Sequence, residues 1–288
     1  MSMLGKIAST RAYHPGAITN ALAKREQREM PAEGEKILVL ACDHPARGAL
    51  GAGKDPFAMA SRVDVLERCA RILANPKVAG FLGTADLVED LALMGALENK
   101  LVWGSMNRGG LFGAKFEMDD KFTGYTAQGI RSSFLDGGKM LVRINYEDAG
   151  SVSTLESCAW AIDDLSSRGL NVMIEPFIST WQNGNIVNDL SPNAVIRSIA
   201  IASGLGTTSR NTWLKLPCVD DMERVMASTT LPSLVLGGAV SDDQESTYRK
   251  WGEALRIPNV MGLVIGRSLM FPPNGDIDGT VDKLVEML

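Results

Sequence analysis

Five charged residues stand in or at the ends of short apolar runs, where a charge costs several kcal/mol unless it is paired or used. They are Asp43 in run 37–43, Lys139 and Arg143 in run 139–144, Glu175 in run 171–175 and Lys215 in run 212–216. If each run is a strand, alternate residues point to opposite sides. In the fourth run Met140, Val142 and Ile144 share one face, which leaves Lys139, Leu141 and Arg143 on the other. The same parity sets Asn171, Met173 and Glu175 against Val172 and Ile174, and Trp213, Lys215 and Pro217 against Leu214 and Leu216. In the first run Leu40 and Cys42 face outward and Asp43 faces inward at the end. Two lysines, an arginine, a glutamate and an aspartate therefore converge on one interior. A salt-bridge layer is the purely structural explanation. The chemical one starts from a lysine walled by apolar groups beside a second cation, whose ammonium form is disfavoured and whose free amine becomes a nucleophile. A neighbouring carboxylate shuttles the protons. An amine that attacks a ketone gives a carbinolamine and then an iminium ion, which draws electrons from the adjacent carbon so that a carbon–carbon bond there breaks or forms. No metal is required, and with only His14 and His44 present a zinc site built on histidines is close to excluded.

The elements that must position these residues are eight apolar runs, at 37–43, 78–82, 101–104, 139–144, 171–175, 212–216, 233–237 and 261–265. Their starts are 21 to 41 residues apart, about one βα unit each. Between them lie amphipathic stretches. Residues 55–74 carry Phe57, Met59, Val63, Leu66, Ala70 and Leu73 at helical spacing, 153–168 and 219–228 read the same way, and 192–203 starts with Pro192 at a first-turn position. This alternation predicts an α/β fold, a (β/α)8 TIM barrel over residues 37–288 preceded by a short N-terminal helical extension, residues 1–36. An open doubly wound sheet is the alternative, disfavoured because no Gly-rich dinucleotide fingerprint follows the first run. The extension contains a polar helix at 17–30, closed by Pro31, whose charged tail 24–29 reads as a solvated face. Residues 104–129, rich in glycine and polar groups, read as a long loop on the face where barrels carry their chemistry.

Composition narrows the class. The 288 residues are 45% hydrophobic and 22% charged, enough for a large core. A net charge of −5 argues against a nucleic-acid partner, no apolar run approaches the roughly 18 residues of a membrane span, and the N-terminus lacks a signal-peptide core. Cys42, Cys69, Cys158 and Cys218 are far apart and form no CxxC pair, which fits a reducing cytoplasm. The last two runs add an anion end. The seventh is followed by Leu236, Gly237, Gly238, Ala239 and Val240, the eighth by Gly266, Arg267 and Ser268. Glycines there let backbone N–H groups approach a ligand, Arg267 adds a fixed guanidinium, and the loops after strands seven and eight of barrels frequently hold phosphate. A phosphorylated small molecule is the expected partner.

Taken in order, Lys139-Met140-Leu141-Val142, Ile174-Glu175-Pro176-Phe177, Leu214-Lys215-Leu216-Pro217 and the Gly-Gly and Gly-Arg turns resemble the class I, Schiff-base aldolases of the DeoC/LacD superfamily over residues 37–288. The pattern is similar to that of tagatose-bisphosphate and sulfofructose-phosphate aldolases. Archaeal-type class I fructose-bisphosphate aldolases share the first aspartate and the sixth-strand lysine, with tyrosine where this chain has Glu175. The resemblance implies that Lys215 forms the Schiff base and Glu175 handles the proton of the hydroxyl whose carbon–carbon bond breaks. It places Lys139 beside the iminium, Asp43 on substrate hydroxyls or carbinolamine dehydration, and Gly238, Gly266 and Arg267 on the phosphate. It implies a homo-oligomer without cofactor. Two departures stand out. Asp43 is followed by His44-Pro45-Ala46-Arg47-Gly48 instead of Gln-Arg-Gly, so Arg47 reaches substrate in an altered register. Arg143 is an extra inward cation, suited to a substrate carboxylate such as that of a deoxy-keto-gluconate phosphate cleaved to dihydroxyacetone phosphate and malonic semialdehyde.

Other residues carry bland expectations. A direct Asp43–His44 couple requires that the strand has ended, Cys42 and Cys218 read as small core residues, Trp213 and Met173 as the barrel floor, and Asn107-Arg108-Gly109-Gly110 as a plain turn. Two other functions compete with the aldolase. One is a non-catalytic barrel that senses a sugar phosphate; the other is a barrel enzyme with pyridoxal phosphate linked to Lys215, disfavoured because such enzymes carry that lysine near the first strand.

Overall fold

Each apolar run takes up a strand because both of its faces are covered, one parity by helices and the other by the opposite strands of a closed sheet. The computed structural model describes residues 1–238 and 243–288; Ala239 and Val240 of the seventh-run turn lie outside the described residues. The strands are β1 (Ile37–Cys42), β2 (Val78–Gly83), β3 (Leu101–Ser105), β4 (Gly137–Ile144), β5 (Asn171–Gln182), β6 (Asn185–Asn188), β7 (Thr212–Pro217), β8 (Ser233–Leu236) and β9 (Val260–Ile265). All but β6 are parallel. They follow one another around the ring as β1, β2, β3, β4, β5, β7, β8, β9, and β9 pairs back to β1. The chain is a single-domain (β/α)8 TIM barrel.

Parity holds in β1, β4, β5 and β7, the strands that carry or lead into the charged residues; in β2 and β9 a register shift turns Ala79 and Leu82, and Met261 and Val264, to the same interior side. Leu38, Leu40, Cys42, Met140, Val142, Val172, Ile174, Leu214 and Leu216 pack outward against the helices. Ile37, Val39, Ala41, Trp103, Met173, Leu234 and Val264 fill the interior, with Trp213 partly buried against them. Met173 and Trp213 do form the floor. The indole of Trp103 donates to Asn171 Oδ1 at 2.7 Å, so the inward amide of β5 is satisfied within the barrel. No helix of the described residues is long and apolar enough to cross a membrane.

The helices are α1 (Met3–Tyr13), α2 (Gly16–Lys24), α3 (Arg62–Leu73), α4 (Ala85–Leu93), α5 (Ala127–Ser132), α6 (Gly150–Ser167), α7 (Pro192–Ser203), α8 (Met222–Met226), α9 (Gln244–Leu255), α10 (Arg267–Met270) and α11 (Ile277–Glu286). Several differ from the sequence expectations. The stretch 55–61 is not helical: Asp55 Oδ1 accepts from the Phe57 amide, and α3 starts only where Ser61 Oγ caps the amide of Asp64. Val219 to Ser228 shortens to α8. The helix expected at 17–30 is only α2, which stops at Lys24 because Arg25 leaves the helix with ψ 130°, and a further helix, α1, precedes it. Arg25 was expected on a solvated face; it is buried under the barrel, where its guanidinium donates to the carbonyls of Lys100, Leu97 and Phe134 and pairs with Asp136. Arg11 ties α1 to Glu89 and Asp90 of α4.

The largest departure is β6. β5 runs on past Glu175 to Gln182, turns through Asn183 (φ 52°) and Gly184 (φ 79°), and returns as antiparallel β6. Positive φ at both turn residues is the type I′ geometry that Asn-Gly favours. This hairpin raises a wall above the C-terminal rim.

Candidate active site

Register sets the heights of the charged side chains. Lys139 is level with Met173 on β5, while Glu175 is one inward layer higher, beside Leu141. β7 pairs Leu214 with Ile174, which brings Lys215 to the height of Glu175. β1 ends at Cys42, and Asp43 starts the 3-10 turn His44–Arg47 at the mouth. The four side chains meet as an alternating series. Lys215 Nζ is 3.1 Å from Glu175 Oε1, Lys139 Nζ bonds Glu175 Oε2, and Lys139 Nζ lies 3.2 Å from Asp43 Oδ2. A third cation closes the series: Arg108 Nη2 bonds Asp43 Oδ2, Nη1 donates to the Asp43 carbonyl at 3.2 Å and Nε to Ser105 Oγ at 2.7 Å.

The electrostatics follow from this order in a desolvated place. Burial works against charge on Glu175, but Lys139 and Lys215 outweigh it and hold its pKa down at about 2. Asp43 is likewise held well below the carboxylate range, burial being overcome by Arg108, Lys139 and Lys215. Lys139 goes the other way for an ammonium. Burial dominates, Lys215 and Arg108 add repulsion, and the two carboxylates recover only part, leaving it at about 8. Lys139 thus exchanges its proton near neutral pH. His44 lines the same space with its Nδ1 4.0 Å from Asp43 Oδ1, too far for a hydrogen bond; burial and then Arg267 and Lys215 lower it to about 3, so it stays neutral. The strand has ended before Asp43, and the neighbours share the mouth after all.

All ten candidate residues, Asp43, Arg47, Lys139, Arg143, Glu175, Lys215, Gly237, Gly238, Gly266 and Arg267, line one open cavity of about 700 Å³ at the C-terminal ends of the strands. Gly238 holds φ 65°, and among the described residues the Arg267 guanidinium makes one long hydrogen bond, 3.4 Å to the Gly51 carbonyl. The hairpin adds Phe177, Ile186 and Val187 to the wall. Arg47 and Arg143 differ from the other cations. Arg47 pairs with Asp120 and donates to the carbonyls of Gly110 (2.7 Å) and Asn107 (3.1 Å); Arg143 pairs with Glu117 and donates to its carbonyl at 2.8 Å. Each therefore meets a carboxylate from residues 106–126, the segment between β3 and α5 that carries no helix or strand.

Sequence reasoning missed Arg108, expected in a plain turn, together with Ser105, Glu117 and Asp120. A lone arginine and the acids Glu117, Asp119 and Asp120 inside a glycine-rich loop after the third strand were the available signal. The Asn183-Gly184 dipeptide was the signal for the hairpin. Cys218 lies on the cavity wall, and burial raises its thiol to about 11. Among the described residues no cluster of three or more His, Cys, Asp or Glu side chains is arranged to hold a metal ion.

The chain matches the Cgl0159-like family over residues 35–285. The crystal structure of Cgl0159 from Corynebacterium glutamicum (Brevibacterium flavum) is similar with a TM-score of 0.96 and 47% identity, covering 99% of this chain and 96% of that one. An archaeal fructose 1,6-bisphosphate aldolase is similar with a TM-score of 0.66 at 15% identity, over 94% of this chain and 98% of that one. A Schiff-base-forming fructose-1,6-bisphosphate aldolase gives 0.61 at 16%, over 94% and 99%. At such identities these two likenesses are of fold. No curated protein matches the sequence.

Proposed function

The chain belongs to the Cgl0159-like family, and we propose that it is a class I aldolase making or breaking a carbon–carbon bond in a phosphorylated keto sugar or sugar acid through a Schiff base on Lys215. The observation that carries this reading is the buried series Lys215–Glu175–Lys139–Asp43 opening into a cavity at the C-terminal face of the barrel. The fold neighbours among fructose-bisphosphate aldolases agree with it.

In the cleavage direction the free amine of Lys215 adds its electron pair to the ketone carbon, and the carbinolamine loses water to give an iminium. Lys139 takes up and returns a proton near neutral pH, as its position at about 8 allows, with Glu175 bridging it to Lys215. Glu175 then accepts the proton of the hydroxyl two carbons from the iminium. The carbon–carbon bond between them breaks, its electron pair enters the iminium to form an enamine, and the aldehyde leaves. Protonation of the enamine carbon and addition of water release the ketone and the Lys215 amine. Asp43 holds the substrate hydroxyls. Gly238 and Gly266 hold the phosphate through main-chain N–H groups and Arg267 through its guanidinium, while Gly237, whose N–H donates to the Val264 carbonyl at 3.2 Å, lines the same end of the cavity.

Arg143 and Arg47 suit a second anionic group. A carboxylate entering the cavity competes with Glu117 for Arg143. A deoxy-keto-gluconate phosphate that yields dihydroxyacetone phosphate and malonic semialdehyde meets both ends of this arrangement. The test is release of dihydroxyacetone phosphate from that acid by the purified protein and by Lys215→Met. Release by the former alone supports the reading. Release by both, or by neither with any keto-phosphate supplied, overturns it.

A further inference from the structure

The loop after β3 reaches into the centre of the site. The Asn107 side chain continues the β3–β4 ladder: its Oδ1 accepts from the Leu141 amide at 2.8 Å, and its Nδ2 donates to the Leu141 carbonyl and, at 3.1 Å, to Asp120 Oδ2. Asp120 Oδ1 accepts from the Gly110 amide at 2.9 Å. Residue 108 is thus held between two anchored neighbours, and its guanidinium is buried. Its three nitrogens all find partners, Ser105 Oγ, the Asp43 carbonyl and Asp43 Oδ2. Asp43 Oδ2 then receives three donors, from Arg108, from Lys139 at 3.2 Å and from Ser105 Oγ at 3.3 Å. Among the described residues Oδ1 has no hydrogen bond, and His44 Nδ1 stands 4.0 Å from it.

We propose that Arg108 is a positioning residue for Asp43: it fixes the carboxylate with Oδ2 committed to the protein and Oδ1 left for the substrate, and so makes the loop after β3 part of the catalytic machinery. This rests on the aldolase reading above. The same contact limits how much of the Asp43 charge serves Lys139. The charged groups facing Lys139 are Asp43 after β1, Arg108 from the loop, Glu175 on β5 and Lys215 on β7; removing Arg108 removes a repulsion and frees an attraction, so the Lys139 proton is held to higher pH.

The test compares the unsubstituted protein with Arg108→Ala, Arg108→Lys and Ser105→Ala. Borohydride trapping with dihydroxyacetone phosphate is read first: no adduct on the unsubstituted protein means that the aldolase reading has failed, and this proposal with it. Given an adduct there, Arg108→Ala is expected to keep the Lys215 adduct but lose about a hundredfold in kcat, the cost of misplacing a reacting group by roughly 1 Å. Its pH–trapping midpoint is expected to move to higher pH, added guanidinium to restore part of kcat, and Arg108→Lys and Ser105→Ala to fall between. An Arg108→Ala protein with unchanged kcat and pH midpoint overturns the proposal. If Arg108→Ala does not fold, the decision passes to the other two, and unchanged kcat and pH midpoint in both overturn it equally.

Discussion

Glu175→Gln separates imine formation from bond cleavage. The substitution keeps the shape of the side chain and removes the charge that Lys139 and Lys215 share, at 3.1 Å in the case of Lys215 Nζ. Unit charges at that separation interact by about 5 kcal/mol at an effective dielectric constant of about 20. The amide dipole and entering water return most of this. If only about a quarter survives, about 1.4 kcal/mol, the titration of Lys139 still moves down by about one pH unit. The free amine is then present at lower pH, while the group that removes the hydroxyl proton is gone. The expected result is that borohydride trapping with dihydroxyacetone phosphate persists with its pH midpoint shifted down. Release of aldehyde falls by about 10²–10⁴, the usual contribution of a general base. The assay is trapped mass against pH from about 5 to 9 beside single-turnover cleavage at the pH optimum. Unchanged cleavage, or a trapping midpoint that moves up, would refute the assignment of Glu175 as the shared base.

The acid limb of stability is the next test. Glu175 lies at about 2 in the folded chain against 4.5 for a free glutamate, so its contribution, at most roughly 3 kcal/mol, is present above pH 4.5 and lost as pH falls toward 2. His44, at about 3 against 6.5, takes its proton in the unfolded chain first, so stability also falls from pH 6.5 toward 3. The melting temperature should drop across both windows, and Glu175→Gln should flatten the lower one; a constant melting temperature from pH 7 to 3 contradicts this. Gly110→Ala puts a Cβ against the Glu117 carbonyl and 3.0 Å from guanidinium nitrogens of Arg47 and Arg143, so a loss of about 1–3 kcal/mol is expected in a denaturant melt. Arg143→Ala should raise KM for a carboxylate-bearing keto-phosphate more than for an uncharged homologue; an unchanged ratio removes the arginine from substrate recognition.

The barrel was legible because its strands are buried on both sides and those that carry the charges obey parity. Once 139–144, 171–175 and 212–216 are strands, an outward apolar set forces Lys139, Glu175 and Lys215 inward. The residues that complete the site were not legible for the same reason, since they belong to no periodic element. Arg108, Glu117 and Asp120 are placed by side-chain bonds within a loop, and no spacing rule marks them. Arg47 and Arg143 were read as free cations because their partners lie in that loop. The ends of the helix at 55–74 and the N-terminal helix failed at local competition: an Asp55 turn and a Ser61 cap in one case, the burial of Arg25 in the other. The hairpin turn was in plain view as Asn183-Gly184, but the run was closed at Glu175, before Pro176, whereas β5 stays paired in the barrel to Ile178 and continues into the hairpin from Ser179.

The most direct test of the central claim is reductive trapping with dihydroxyacetone phosphate and borohydride, read by intact mass and then by peptide mapping. The account predicts one adduct per chain, on Lys215, absent in Lys215→Ala and retained in Lys139→Met. An adduct on Lys139 would keep the aldolase and reverse the two lysines. No adduct with any keto-phosphate would contradict the Schiff-base mechanism itself.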